Sequence, residues 1–317
     1  MTVAKPRRIL VILNAAASGF FHRPVRDICK EITSGFAAHG IATEIALAFN
    51  GSLDRRARDA AAAGSIDAVI AGGGDGTAGA VAAGLAQSNM PFGILPLGRS
   101  NHFARDLGIP DRLDQAIGVI ARGSIATVDA GEVNGRLFIN NSSLGAYPFL
   151  LLDRKKWWRR PGVLRPMAML LAGYKFLRQY PLRRFSVRAG NQAEIWRTPL
   201  LFVGNNRYEL DPFAAGRREQ LNGGELWVYI ARQQTRLSLI WFSLQYLLGL
   251  SDPLKDLRVF HAASIEIGLR SPKVTLAMDG ELVQLSTPLH YRIRPAALRV
   301  YAPVPEDKDD AVGRAHF

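Results

Sequence analysis

Between an apolar run and an alanine-rich stretch the chain places four glycines and one aspartate, Gly72-Gly73-Gly74-Asp75-Gly76, within VIAGGGDGTAGAVAAGLA. The apolar residues Ile66 to Ala71 predict a buried strand, and the stretch after Thr77 predicts a helix. A glycine-rich corner from strand to helix belongs to α/β architecture, and it is a place where backbone N–H groups gather around an anion.

The flanking sequence repeats the alternation. Arg8 to Leu13 reads as a strand, Asn14 to Gly19 as a turn, and Pro24 to His39 as a helix closed by Gly40. Ile41 to Leu47 reads as a strand and Leu53 to Ala63 as a helix closed by Gly64. Pro91 to Leu97 is a further strand, and a last helix runs from Asp111 to Gly123. This is the pattern of a doubly wound parallel sheet over residues 1–124. From residue 125 the texture changes. Ile125 to Val133, an Asn134-Gly135 turn and Arg136 to Ser143 form a hairpin signature. Strand-like runs follow at Arg184 to Ala189, Glu194 to Val203, Glu225 to Ala231, Ser264 to Leu269, Val274 to Met278, His290 to Arg294 and Leu298 to Tyr301. The expected architecture is α/β: an N-terminal doubly wound parallel-sheet nucleotide domain (1–124), then a mainly antiparallel β-rich domain with helical insertions (125–304) and a polar tail (305–317).

Three chemistries use a glycine-rich corner. Gly74, Gly76 and Gly79 match the dinucleotide pattern G-x-G-x-x-G, but the acidic residue that should end the next strand is missing, because FGILPLG runs into Arg99. An ATP-binding P-loop needs a lysine after the glycines, and none follows. The third is phosphoryl transfer, with backbone N–H groups around a phosphate chain and Asp75 organising Mg²⁺. A plain turn in which Asp75 only caps a helix is the simplest alternative, and three consecutive glycines argue against it.

Five motifs in order resemble one family. They are Asn14 with AAASG; GGGDGT (Gly72 to Thr77); LPLGRSNHFARDLGIP (Leu95 to Pro110); FINNSSLGA (Phe138 to Ala146) with VGNNRYE (Val203 to Glu209); and MDGE (Met278 to Glu281). Together they are similar to the diacylglycerol kinase catalytic domain, whose superfamily takes in bacterial lipid kinases, sphingosine and ceramide kinases and, more remotely, NAD kinases. The resemblance covers most of the chain and implies an ATP- and Mg²⁺-dependent lipid kinase. ATP would lie in a cleft against the α/β domain, and the acceptor lipid would enter against the β-rich one. On that resemblance Asn14 and Asn101 would touch the nucleotide, and Gly73, Gly74, Gly76 and Thr77 would hold its phosphates. Asp75 would order the metal, and Glu281, supported by Asp279, would take the proton from the acceptor hydroxyl. An alcohol needs such a base. Read without the resemblance, Asp279-Gly280-Glu281 is as well a surface hairpin with two solvated acids. The chain departs from the family pattern at Arg99, at His102, and at Asn222-Gly223, which replaces the acidic pair of a structural Mg²⁺ site. A soluble NAD-kinase-like enzyme and a lipid-binding pseudokinase are the alternatives.

The formal net charge of +13 favours an anionic partner. From Arg154 to Arg184 there are ten Lys or Arg residues and no acid. The cluster Arg154, Lys155, Lys156, Trp157, Trp158, Arg159 and Arg160 interleaves cations with tryptophan, and Pro166 opens a helix with Met167, Leu170, Leu171, Tyr174 and Leu177 on one face. The segment is expected to meet an anionic membrane surface. Leu237 to Leu250 is expected to help shape the lipid entrance. No nucleic-acid-binding pattern appears, so no nucleic-acid partner is expected. No apolar run reaches the ~20 residues that span a bilayer. The expected location is the cytoplasm, peripherally on the inner face of the membrane. Cys29 is alone, so no intrachain disulfide forms.

Overall fold

The computed structural model describes residues 2–3, 5–14, 23–48, 52–86, 88–145, 182–190, 192–209, 216–218, 220–232, 235 and 257–304. The basic and aromatic segment, the run Leu237 to Leu250 and the polar tail lie outside the described residues. The chain forms two compact units, Met1–Val128 with Ala297–Phe317, and Asp129–Ala296. The division expected at residue 125 falls instead inside a strand, and the last described strand returns to the first unit.

The first unit contains β1 (Thr2–Val3), β2 (Arg8–Asn14), α1 (Val25–Ala37), β3 (Ala42–Ala48), α2 (Leu53–Ala63), β4 (Ala68–Gly73), α3 (Asp75–Leu85), β5 (Phe92–Pro96), α4 (His102–Asp106), α5 (Leu113–Arg122) and the start of β6 (Ser124–Val133). Strands β3, β2, β4 and β5 lie side by side in that order, all parallel. Every residue of β4 and β5 is buried, as expected for strands covered on both faces. Each fully buried large apolar side chain adds roughly 1.5–3 kcal/mol. Helix α1 turns Ile28, Ile32 and Phe36 inward at a spacing of four. Helix α3 is rich in alanine and glycine because it packs closely on α2: a Cβ on Gly84 would overlap the Asp54 carbonyl and lie 2.9 Å from the Ala57 methyl. Gly64 and Gly123 end α2 and α5 in the left-handed conformation.

The second unit carries the rest of β6, β7 (Arg136–Phe138), β8 (Asn141–Gly145), β9 (Arg183–Ala189), β10 (Gln192–Thr198), β11 (Leu200–Asn205), β12 (Leu226–Ala231), β13 (Leu257–Ala262), β14 (Ser264–Gly268), β15 (Lys273–Met278), β16 (Glu281–Ser286) and most of β17 (Leu289–Tyr301). One antiparallel sheet has the order β13-β12-β11-β8-β15-β16. In the other, β10, β9, β14 and β17 are neighbours. Alternate residues of both, among them Leu144, Phe185, Val203, Val228, Leu276 and Tyr291, meet in one core.

Two differences from the sequence reading trace to proline. Glu194 to Val203 reads as one strand but is two, β10 and β11, in different sheets. Pro199 lies between them and cannot donate to a ladder, and the Thr198 hydroxyl donates instead to the carbonyls of Leu200 (2.9 Å) and Ala231 (2.7 Å). Conversely, two expected strands are the single β17, which passes through Pro295. Ala296 takes a left-handed φ of 53°, and its N–H leaves the ladder to bond Asp129 Oδ1 at 2.9 Å.

Glu132 of β6 is buried and receives Arg292 Nε and Arg294 Nε, both at 2.7 Å. Burial alone would raise its carboxyl, but the hydrogen bonds and charges of Arg292 and Arg294 outweigh this and hold it below the usual carboxylate range. Its ionised form therefore stabilises the fold above the unfolded pKa of about 4.3, and that contribution is lost as pH falls through the lower folded value. Both arginines are half-exposed, so water takes over part of their pairing. Glu132→Gln is expected to cost on the order of 1–2 kcal/mol at pH 7. Denaturation curves of the two proteins should draw together as pH falls through the lowered folded value; a constant gap at every pH would exclude the ion pair as the cause.

Candidate functional site

In the first unit the parallel register brings three chain turns to one edge of the sheet. Leu13 lies opposite Gly72, and Gly73 opposite Pro96. The carboxyl ends of β2, β4 and β5 are therefore neighbours, the usual place for a ligand in such a sheet. The glycines allow close approach here. A Cβ on Gly72 would overlap Leu13, one on Gly73 would overlap Thr77, and one on Gly74 would sit 3.3 Å from the Gly98 Cα. The two glycine loops thus touch backbone to backbone. Asp75, Gly76 and Thr77 open α3, whose first N–H groups have no partner within the helix.

The expected ligand-binding side chains come together at this edge. Asn14 and Thr77 are both buried, and Asn14 Nδ2 donates to Thr77 Oγ1 at 3.1 Å, tying the end of β2 to the first turn of α3. Asp75 Oδ1 accepts the Phe103 N–H at 3.0 Å, so the carboxylate is oriented by the start of α4. Asn101 has a role the sequence did not indicate. It sits at φ 48°, accepts the Gly98 N–H at 3.0 Å, and donates to the carbonyls of Gly98 (3.1 Å) and Pro96 (3.3 Å). Its side chain shapes the second glycine loop from within. Arg99 and His102 are exposed beside it. Among the described residues no group of three or more His, Cys, Asp and Glu is placed to hold a metal ion. A lone carboxylate beside an N–H cradle nevertheless suits Mg²⁺, which commonly takes one or two carboxylates and completes its shell with water and phosphate oxygens.

In the second unit Asp279 and Gly280 both have positive φ, 48° and 79°, and form the two-residue turn between β15 and β16. The two acids of MDGE point to different environments. Glu281, the first residue of β16, is exposed. Asp279 is not a solvated acid: Oδ2 accepts the Ile139 N–H at 2.9 Å, and Oδ1 accepts those of Asn140 (2.8 Å) and Asn141 (3.1 Å). Desolvation pushes its carboxyl up to about 6, against the pull of these three donors and of the Arg218 charge. Asp279 thus fastens the hairpin that carries Glu281 to the start of β8.

Sequence reasoning missed the buried polar residues behind this turn. Arg218 is 1% exposed. It donates through Nη1 to the carbonyls of Ile139 (2.8 Å) and Asn205 (3.0 Å) and through Nη2 to Asn140 Oδ1 (2.7 Å). Asn205 Nδ2 bonds the carbonyls of Asp129 and Ile139, each at 2.9 Å. Asp129 Oδ2 accepts the Gly224 N–H (2.7 Å) and Asn206 Nδ2 (3.2 Å), while Asn206 Oδ1 takes the Gly223 N–H (2.9 Å). The Asn222-Gly223 loop is therefore held by protein groups. An acid in the middle of the largely apolar strand SIATVDAGEV was the available signal for Asp129; GRREQ offers none for Arg218.

Residues 8–133 match the model of the diacylglycerol kinase catalytic domain. A Citrobacter koseri protein named "probable lipid kinase YegS-like" is 27% identical over 305 residues, covering 93% of this chain and 95% of that one. A Synechocystis protein, sll0036, is 27% identical over 244 residues, and the chain spans only 55% of its length. The crystal structure of a diacylglycerol kinase from Bacillus anthracis superposes with a TM-score of 0.68 at 18% identity, over 95% of this chain and 98% of that one, which establishes a common fold. Over residues 8–133 the chain is thus similar to the diacylglycerol kinase catalytic domain, and over nearly its whole length to a protein named a probable lipid kinase.

Proposed function

We propose that the chain transfers the γ-phosphate of ATP to a hydroxyl group of a membrane lipid, of diacylglycerol or ceramide/sphingoid type. The observation that carries this reading is the Gly73–Thr77 corner at the opening of α3, inside the matched domain. The N–H groups that open a helix suit phosphate oxygens, and Gly73, Gly74, Gly76 and Thr77 provide the close approach. Asp75, oriented by the Phe103 N–H, would hold Mg²⁺, which when bound neutralises charge on the phosphate oxygens. In the transfer a bond forms between the acceptor oxygen and the γ-phosphorus as the bond to the ADP oxygen breaks. The hydroxyl proton passes to Glu281, whose exposed carboxylate stands beside the anchored turn. Asn14 acts through Thr77 and Asn101 through the loop it closes.

The test is transfer from γ-labelled ATP, with Mg²⁺, to diacylglycerol, ceramide, sphingosine and phosphatidylglycerol in mixed micelles, with NAD as a soluble control. Label on one lipid supports the reading and names the acceptor. Label on NAD alone hands the site to a soluble NAD-kinase-like activity, and ATP binding without transfer to a pseudokinase.

A lipid acceptor has to be met at an interface, and the Arg154–Arg160 cluster with Trp157 and Trp158 is the proposed contact with an anionic surface. None of the described helices is long and apolar enough to cross a membrane. Changing Trp157 and Trp158 together to alanine is expected to weaken pelleting with anionic vesicles several-fold and leave ATP affinity unchanged. Undiminished pelleting would remove the tryptophans from the contact.

A further inference from the structure

We propose that Arg218 is a positioning residue for Glu281: its buried guanidinium grips the carbonyl side of the Ile139–Asn141 segment while Asp279 grips the N–H side, and the two together fix the turn from which Glu281 projects. The activity readout rests on the kinase reading above; the geometry stands without it.

The segment between β7 and β8 is held by opposite charges on its two polar sides. Its three successive N–H groups converge on one carboxylate, at 2.8–3.1 Å. Its Ile139 carbonyl and the Asn140 side-chain oxygen converge on one guanidinium, at 2.8 and 2.7 Å. The peptide unit of the Ile139 carbonyl and the Asn140 N–H lies between them, its N–H on Asp279 and its carbonyl on Arg218, so each charge strengthens the other's hydrogen bond. Asn205 backs the arrangement: its N–H donates to the Asn140 carbonyl at 2.9 Å, and its side chain shares the Ile139 carbonyl with Arg218. The Tyr208 ring lies 5.3 Å from the guanidinium carbon, and its hydroxyl accepts Asn141 Nδ2 at 3.2 Å. A buried guanidinium is costly unless its donors are met. Here the fixed fork meets three acceptors at once, and an ammonium cannot reproduce that geometry. On the hairpin side, the Asp279 N–H also bonds the Asn141 carbonyl at 3.0 Å, and Glu281 follows after one glycine. A shift of the Ile139–Asn141 segment is therefore a shift of Glu281. Proton abstraction needs hydrogen-bond reach, and small misplacement is expensive in rate.

The experiment compares wild type, Arg218→Met, Arg218→Lys and Asn140→Ala. Transfer from ATP to diacylglycerol in mixed micelles is resolved into kcat and KM, and hydrogen exchange is followed at the amides of residues 139–141. Concentrations are corrected to the fraction that binds ATP. Positioning predicts a kcat at least tenfold lower in Arg218→Met, partly restored in Arg218→Lys, with the KM for ATP within twofold of wild type. It also predicts exchange at those amides at least tenfold faster in Arg218→Met and measurably faster in Asn140→Ala. A folded Arg218→Met protein with wild-type kcat overturns the proposal, as does unchanged exchange in both it and Asn140→Ala. Should neither Arg218 variant fold, Asn140→Ala decides alone: kcat and exchange both at wild-type values reject it. If wild type labels no acceptor of the panel, the kinase reading fails, and the exchange data still decide whether the clamp exists.

Discussion

Asp75→Asn is expected to fold like wild type and to transfer phosphate about 10²–10³-fold more slowly, the usual scale for removing one preorganised electrostatic group. Asparagine keeps an oxygen at the Oδ1 position to accept the Phe103 N–H, so the start of α4 stays anchored while the negative charge is lost. Asp75→Ala removes the acceptor as well, and loss of such a contact at a helix start costs about 1 kcal/mol. The pair separates the two roles. Both should lose turnover and require more Mg²⁺, but only the alanine protein should melt several degrees lower. Turnover within tenfold of wild type in Asp75→Asn would remove the metal-ordering assignment. A melting point as low as that of Asp75→Ala would mean that the charge, not the acceptor, holds α4.

The glycine-rich edge of the first unit was legible in the sequence because its determinants are local. An apolar run, consecutive glycines and a small-residue helix each state their own geometry, and the alternation of strand and helix signalled a parallel sheet, though not the order of its strands. Asn101 illustrates where such reading stops. Its position in the motif is visible, but whether an amide faces a ligand or its own loop depends on a left-handed φ and on the placement of Gly98. The expected strand over Glu194–Val203 failed for a related reason. Composition favours one strand throughout, and only Pro199 marks the change of sheet. Helix α4 is too short to show a period, and β16 is an edge strand without clean alternation of burial. The buried network of Asp129, Asn205, Asn206 and Arg218 joins residues up to 167 positions apart, and nothing in the neighbourhood of Arg218 announces burial. The assignment of roles in MDGE was the least legible part. Both acids look alike in sequence, yet one is consumed by three backbone donors and the other faces solvent.

That asymmetry sets up the second large effect. Glu281→Gln is expected to lower kcat by about 10²–10⁴-fold, the range for loss of a positioned general base, without a change in melting temperature. Glu281 is exposed, it opens a strand whose backbone pairing with Met278 does not involve the side chain, and glutamine is nearly isosteric. Asp279→Asn should behave in the opposite way. Its carboxylate uses both oxygens to accept N–H groups, and an amide must turn its own NH₂ toward at least one of those donors. Leaving a buried donor unmet costs roughly 1–3 kcal/mol, so this protein should melt measurably lower and lose turnover because Glu281 is displaced. The kinetic pattern distinguishes the cases further. Glu281→Gln should fail in the chemical step at every pH, whereas Asp279→Asn should retain a base and thus keep the same acid limb in its pH–rate profile at reduced amplitude. If Glu281→Gln transfers phosphate at near wild-type rate while Asp279→Asn is inactive and fully folded, the proton acceptor is Asp279, and the three N–H groups around it stabilise a working base instead of a structural anchor.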